Sequence, residues 1–222
     1  MANTLIVIEG LDGSGKSTQV ELLKKRLTDK GISVKQIKLP DYEDDSSMLV
    51  RMYLSGEFGS KPEDVNIYAT SSFYAVDRYA SYKRHWKDTV ILADRYTSSN
   101  AVHQTVKLPK EQWDEYLSWL TDYEYNKMGI PKPTAVIYLD MPVEISQRLM
   151  SKRYDNDESK KDIHEANVEY LKKCRESAMF AAEKFGWSVI KCSDGKEPLS
   201  IEEIGNNIYE KVVEKTGDFL SD

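Results

Sequence analysis

The chain has 222 residues, a length that at roughly 150 residues per domain suits one α/β-sized domain with insertions rather than two separate domains. Hydrophobic residues make up 40% and charged residues 31%, with only 11 Gly and 7 Pro, which excludes a disordered or fibrous chain and leaves a folded, soluble one. A net charge of −6 excludes a broad basic surface for nucleic acid, so any bound phosphate belongs in a local basic pocket.

Short β-branched runs alternate with longer helical patterns. Strands are expected at Thr4–Glu9, Ser33–Leu39, Val90–Asp94, Ala135–Leu139 and Ser188–Lys191, and the alternation predicts a parallel sheet covered by helices. The first helix should open at Ser17, carry Val20, Leu23 and Leu27 inward, and end before Gly31, which suits a left-handed cap. Further helical patterns span about 46–55, 65–86, 110–125, 143–152, 164–185 and 201–216. Cys174 and Cys192 lack metal-type spacing and are too few for a disulfide framework, which points to a reducing compartment. The apolar run that stops at Glu9 is far shorter than a secretion signal, and no other segment approaches the ~18 apolar residues of a membrane span. A cytoplasmic protein without membrane contact is expected.

Gly10-Leu11-Asp12-Gly13-Ser14-Gly15-Lys16-Ser17 satisfies GxxxxGK[ST] directly after a strand and at the start of a helix. The glycines let the backbone turn its N–H groups onto phosphate oxygens, and the helix N-terminus adds positive potential. Lys16 reaches the β and γ oxygens, Ser17 ligates Mg²⁺, and Thr18 supports the loop or the adjacent nucleotide. The expected ligand is a nucleoside triphosphate. A signalling GTPase is disfavoured because Asn126-Lys127-Met128-Gly129 has Gly where a carboxylate must pair with guanine.

Asp94-Arg95-Tyr96 emerges at the C-terminal end of an apolar strand, the edge that holds ligands in doubly wound sheets. Asp94 can hold the metal or its water and Arg95 a transferring phosphate; the bland alternative is a salt bridge at a strand end. Tyr74 and Arg78 lie four apart on one helical face, either as a ring and guanidinium that read a base or as a core aromatic beside an exposed Arg. The polar run from Lys152 to Lys161 is either a solvated loop or a lid whose cations close over phosphates.

Together these residues, with Leu39-Pro40-Asp41, Asn100 to Gln104 and Leu139-Asp140-Met141-Pro142 leading to Arg148, resemble the thymidylate kinase family of P-loop nucleoside monophosphate kinases. The resemblance implies a three-layer P-loop NTPase fold: a five-stranded parallel sheet with helices on both faces and a short lid. It implies one kinase domain over residues 1–222 with the lid at about 150–162, a homodimer, and Mg²⁺-dependent transfer from ATP to dTMP on the way to dTTP. Gly10, Gly13, Ser14, Gly15, Lys16, Ser17, Thr18 and Arg148 would then hold the ATP, with Ser17 and Asp94 on the metal.

On the acceptor side, Tyr74 takes the place of a ring, usually Phe, that stacks on thymine, Arg78 would bond the base O4, and Asn100 would face the base N3 or the nearby phosphate region. Asp12 would contact the sugar 3′-hydroxyl or the metal shell, Gln104 the sugar, and Arg95 would bridge donor and acceptor phosphates. His103 stands where a Tyr commonly lies against the deoxyribose. Tyr42 stands where many relatives place an Arg on the acceptor phosphate, a role that passes to Arg51. Gly13 occupies the position of a eukaryotic catalytic Arg, similar to the bacterial type that moves this cation into the lid, with Arg153 the first candidate and Arg148 the second. Lys16, Arg95, Arg153 and Asp12 form the expected catalytic set. Two other readings stand beside this one: a nucleoside kinase, or kinase of another monophosphate, with Glu9 the available general base for a nucleoside acceptor, and a nucleotide-dependent switch.

His85 and His164 are expected at the surface, and Trp113, Tyr116 and Trp119 in the core or a dimer contact. No residue cluster suggests zinc.

Overall fold

The computed structural model describes residues 4–59, 61, 64–86, 90–153 and 168–217, with 152 and 153 described by backbone alone. Five strands, β1 (Leu5–Gly10), β2 (Val34–Lys38), β3 (Val90–Asp94), β4 (Ala135–Asp140) and β5 (Ser188–Lys191), form one parallel sheet in the order β2-β3-β1-β4-β5. The central strand reads as an unbroken apolar run because both of its faces are covered. Ile6 and Ile8 point into one core, and Leu5 and Val7 into the other.

Helices α1 (Lys16–Asp29) and α8 (Ile201–Thr216) fill the first face with Val20, Leu23, Leu27, Ile204, Ile208 and Val212. Helix α1 opens at Lys16, one residue before the expected Ser17, and ends before Gly31 as expected. Its face is as predicted, and Gly31 closes it at φ +82°, donating to the Thr28 carbonyl at 2.9 Å. Ser200 caps α8 by accepting from the Glu203 amide. Opposite lie α3 (Ile67–His85), α4 (Thr97–His103), α5 (Trp113–Thr121) and α7 (Val168–Phe185), while α2 (Met48–Leu54) packs on α3, and α6 (Val143–Arg153) follows β4. Trp113 and Tyr116 are buried core residues, Trp119 stacks on Tyr123, and His85 is exposed.

Three elements differ from the periodicity reading. The polar run Thr97-Ser98-Ser99-Asn100 carries no apolar stripe, yet it forms α4, because its hydroxyls and amide bond to buried carboxylates. The pattern at 46–55 opens as a 3-10 turn over Asp45–Ser47 before α2. The single helix expected over 110–125 is a 3-10 turn (Lys110–Gln112), then α5, then a π-helical turn (Asp122–Lys127). Most of the expected lid, and His164, lie outside the described residues. No described helix is long and apolar enough to cross a membrane.

Candidate active site

The loop between β1 and α1 is shaped by left-handed glycines, Gly13 at φ +78° and Gly15 at φ +87°. Lys16 folds back over it, with Nζ donating to the Leu11 carbonyl at 3.0 Å and to Asp12 Oδ1 at 3.3 Å. Burial and the neighbouring Arg95 charge lower the Lys16 pKa, against the pull of Asp12, Glu9 and Asp94. Ser17 Oγ donates to Asp94 Oδ2 at 3.3 Å, which brings a hydroxyl and a carboxylate together at the start of α1. A cavity of ≈ 580 Å³ opens over this loop, lined from Asp12 to Gln19, by Lys38, Asp94 and Arg95, and on its apolar side by Met141, Leu149, Pro198, Leu199 and Ile201.

Arg95 leaves β3 with φ +71°, the one non-glycine residue in the left-handed region among those described. Its amide donates to the Ile8 carbonyl at 3.2 Å, which ties it to β1. Its guanidinium meets Asp12 Oδ1 at 2.5 Å and His103 Nε2 at 3.1 Å, with Glu9 Oε1 at 3.6 Å. Burial alone would raise the Asp12 carboxyl, but the charges of Arg95 and Lys16 hold it well below the usual carboxylate range. Burial alone would lower Arg95, and Asp12, Glu9 and Asp94 reverse this and keep it protonated. Because Arg cannot give up its proton, His103 Nε2 is the acceptor in their contact.

Arg95 and Asp12 also line a second cavity, of ≈ 290 Å³. Its walls include Leu39, Pro40, Tyr42 and Tyr53 on one side, Tyr74 and Arg78 from α3, and Asn100, His103 and Gln104 from α4. Burial keeps the Tyr74 phenol protonated, well above its usual range. The Tyr42 to Ser46 segment is pinned from below: Asp77 accepts from the Asp41 amide and Ser46 Oγ, and Arg84 grips Asp44 with two bonds.

The end of this cavity formed by α3 and α4 is built on a buried ion pair. Arg78 gives Nε and Nη2 to Glu124 at 2.7 and 2.6 Å and Nη1 to the Tyr96 carbonyl at 3.4 Å, so its guanidinium is fixed in the cavity wall and presents only donors there. Burial would lower the Arg78 pKa, and Glu124 raises it instead. Asn100 spends its amide hydrogens on the Ser71 carbonyl and Glu124 at 3.2 and 3.4 Å, so Oδ1 is the atom left to face the cavity. Gln104 Oε1 is buried without a hydrogen-bond partner among the described residues.

Most of the residues picked from the sequence therefore converge on two cavities that share a wall. Three do not join them in this arrangement, Gly10 at the end of β1 being one. Arg51 turns its guanidinium to the carbonyls of Tyr42 and Asp44 and to Ser47 Oγ, bracing the loop, and does not line the second cavity. Arg148 bonds the Lys196 carbonyl and Glu197 at the far end of the first. The side chain of Arg153 lies outside the described residues. Sequence reasoning missed Glu124, which sits inside a helical pattern with no motif to mark it, and Lys107, which lines the second cavity and donates to the Tyr53 hydroxyl at 2.7 Å. The pairing of Glu9 with Ser98 and Ser99, at 2.8 and 2.6 Å, was also not legible.

Comparison with known proteins agrees with this arrangement. The family model described as thymidylate kinase matches residues 8–204. Thymidylate kinase of Mycobacterium tuberculosis strain H37Rv is 30% identical over 172 residues, covering 74% of this chain and 79% of that protein. A probable thymidylate kinase of Thermococcus onnurineus is 30% identical over 187 residues, covering 81% and 84%. Among solved structures, thymidylate kinase from Candida albicans superposes with a TM-score of 0.68 at 20% identity, over 96% of this chain and 92% of that one, which supports the fold. On its motifs, its fold and a family match that runs through nearly the whole sequence, the chain belongs to the thymidylate kinase family.

Proposed function

We propose that the protein transfers the γ-phosphoryl group of ATP to dTMP, giving ADP and dTDP. The observation that carries this reading is the wall shared by the two cavities: Asp12 and Arg95 line both, so donor and acceptor phosphates meet at one guanidinium. The base end supports a thymine-type acceptor. An Arg78 N–H beside the Asn100 Oδ1 acceptor matches a pyrimidine that offers O4 as acceptor and N3–H as donor. Cytosine presents the reverse pattern at both atoms, which disfavours dCMP.

In the reaction an oxygen of the acceptor α-phosphate attacks the γ-phosphorus in line, and the bond to the β,γ-bridging oxygen breaks as ADP leaves. Lys16 and Arg95 neutralise charge on the transferring group. Arg153 supplies a further cation from the lid over about 150–162, and Arg148 flanks the ATP cavity. Ser17 Oγ and Asp94 are hard oxygen ligands side by side and fit Mg²⁺, which when bound screens the phosphate oxygens. No general base is required, since a phosphate monoester is largely ionised at pH 7 with a second pKa near ~6.

A nucleoside acceptor is disfavoured on one further observation. Glu9, the base it would need, has Oε1 on the Gly10 amide and Oε2 on Ser98 and Ser99. The same reading carries a homodimer and a cytoplasmic location with it.

The test is a coupled ADP-release assay with Mg-ATP offering dTMP, dUMP, UMP, dCMP, AMP, GMP and thymidine against a no-acceptor blank and a Lys16→Ala control. A clear lead for dTMP that Lys16→Ala removes is expected. A lead for thymidine or for another monophosphate would refute the acceptor assignment, and no rate above the blank would turn the reading toward a switch.

A further inference from the structure

Glu124 is fully buried, yet it touches neither cavity. It projects from the π-helical turn Asp122–Lys127 into the space behind α3 and α4. Its two oxygens receive four donors: Oε1 takes Arg78 Nη2 and Asn100 Nδ2, and Oε2 takes Arg78 Nε and Thr97 Oγ1 at 2.8 Å. A buried carboxylate surrounded in this way is acceptor-only, and each of its partners is forced to donate toward it.

That constraint fixes more than charge. An amide can turn over and exchange its oxygen for its nitrogen, and only the neighbours of Asn100 decide which atom faces the cavity. Against a carboxylate and the Ser71 carbonyl the NH₂ must face inward, so the oxygen faces the ligand. Arg78 is held likewise: Glu124 takes Nε and Nη2 and the Tyr96 carbonyl takes Nη1, so the guanidinium is fixed in orientation and offers the cavity only its remaining donors. Resting on the function proposed above, we infer that Glu124 is a positioning residue that sets the hydrogen-bond polarity of the acceptor pocket, so that the pocket selects a 2,4-dioxopyrimidine over a 4-aminopyrimidine without Glu124 touching the ligand.

A purely structural ion pair makes a different prediction. Its loss would lower stability and slow every acceptor alike. If Glu124 sets polarity, Glu124→Gln places an NH₂ where one oxygen stood, the Asn100 amide can turn, and the acceptor preference itself changes.

The expected result for Glu124→Gln is a dTMP kcat/KM reduced about tenfold or more, chiefly through the dTMP KM, and a dTMP-to-dCMP kcat/KM ratio reduced by a similar factor. The KM for Mg-ATP should stay within about twofold, because Glu124 has no contact with that cavity. Removing the charge also leaves Arg78 buried and unpaired, which can unfold the chain. Glu124→Asp keeps that charge but draws the carboxylate back by one methylene, too short to serve both Arg78 and Asn100. It should fold and show the same loss of discrimination. Folded variants that retain the wild-type dTMP-to-dCMP ratio would overturn the inference. A wild-type enzyme that itself fails to prefer dTMP over dCMP would instead overturn the proposed function, so the two failures are distinguishable.

Discussion

Gly13 and Gly31 offer a matched pair of substitutions. Both lie in the left-handed region, at φ +78° and +82°. A Cβ on Gly31 would have nothing within 4 Å, so Gly31→Ala carries only the conformational cost, about 1–2 kcal/mol. A Cβ on Gly13 would lie 2.7 Å from the Ser146 carbonyl oxygen and 2.8 Å from Met150 Cγ, both on α6. The Met150 side chain can swing aside, but the carbonyl belongs to helix backbone, so α6 or the phosphate loop must move. Overpacking of this kind adds about 1–3 kcal/mol, for a total of about 2–5 kcal/mol. Urea unfolding of wild type, Gly31→Ala and Gly13→Ala gives the two losses directly. Mg-ATP kinetics adds a second axis, since only Gly13→Ala should raise the KM for ATP. Equal stability losses, within about 0.5 kcal/mol, with an unchanged ATP KM would refute the argument that α6 packs against the loop at Gly13.

Tyr74→Ala removes a ring from the wall of the acceptor cavity and should raise the dTMP KM by the loss of one base stack, about 1–3 kcal/mol or roughly 5- to 150-fold, in initial-rate assays. Arg153→Ala should lower turnover about tenfold or more with a smaller change in ATP affinity; unchanged turnover would assign the lid cation to another residue. Asp44 is held down at about 2 by hydrogen bonds from Ser46 and Arg84. A carboxyl whose pKa is lower in the folded state stabilises the fold above its unfolded value, near ~3.9, and loses that contribution as pH falls through the folded value. The stability gap between wild type and Asp44→Asn should therefore narrow in urea unfolding as pH is lowered from about 4 toward 2.

Strands β1, β3 and β4 were legible because each is a short, buried apolar run bounded by polar residues, and the phosphate loop because its spacing is chemically constrained. Asp94 and Arg95 were legible from their place at the end of an apolar strand, which the register Ile8↔Asp94 sets beside the phosphate loop. What was hidden shares one physical cause. Glu9, Glu124, Ser98 and Thr97 are polar residues buried in networks, and a polar side chain in sequence gives no sign of whether its partner is water or a carboxylate 27 or 89 residues away. Periodicity overlooks α4 for this reason. The Arg51 assignment came from the resemblance, and in the structure its guanidinium serves the loop that carries Tyr42.

The joining of the two cavities through main-chain bonds bears on how the family changes over time. The phosphate loop and Arg95 are spaced by the ladder between β1 and β3 and by the bond from the Arg95 amide to Ile8, none of which depends on a side chain. Core residues on either face of the sheet can therefore drift, provided their volume is conserved, without altering the distance between donor and acceptor. A fold held in this way keeps its shape through substitution, consistent with a TM-score of 0.68 to a chain at 20% identity. Selection is left to act on the few polar contacts that the backbone does not dictate.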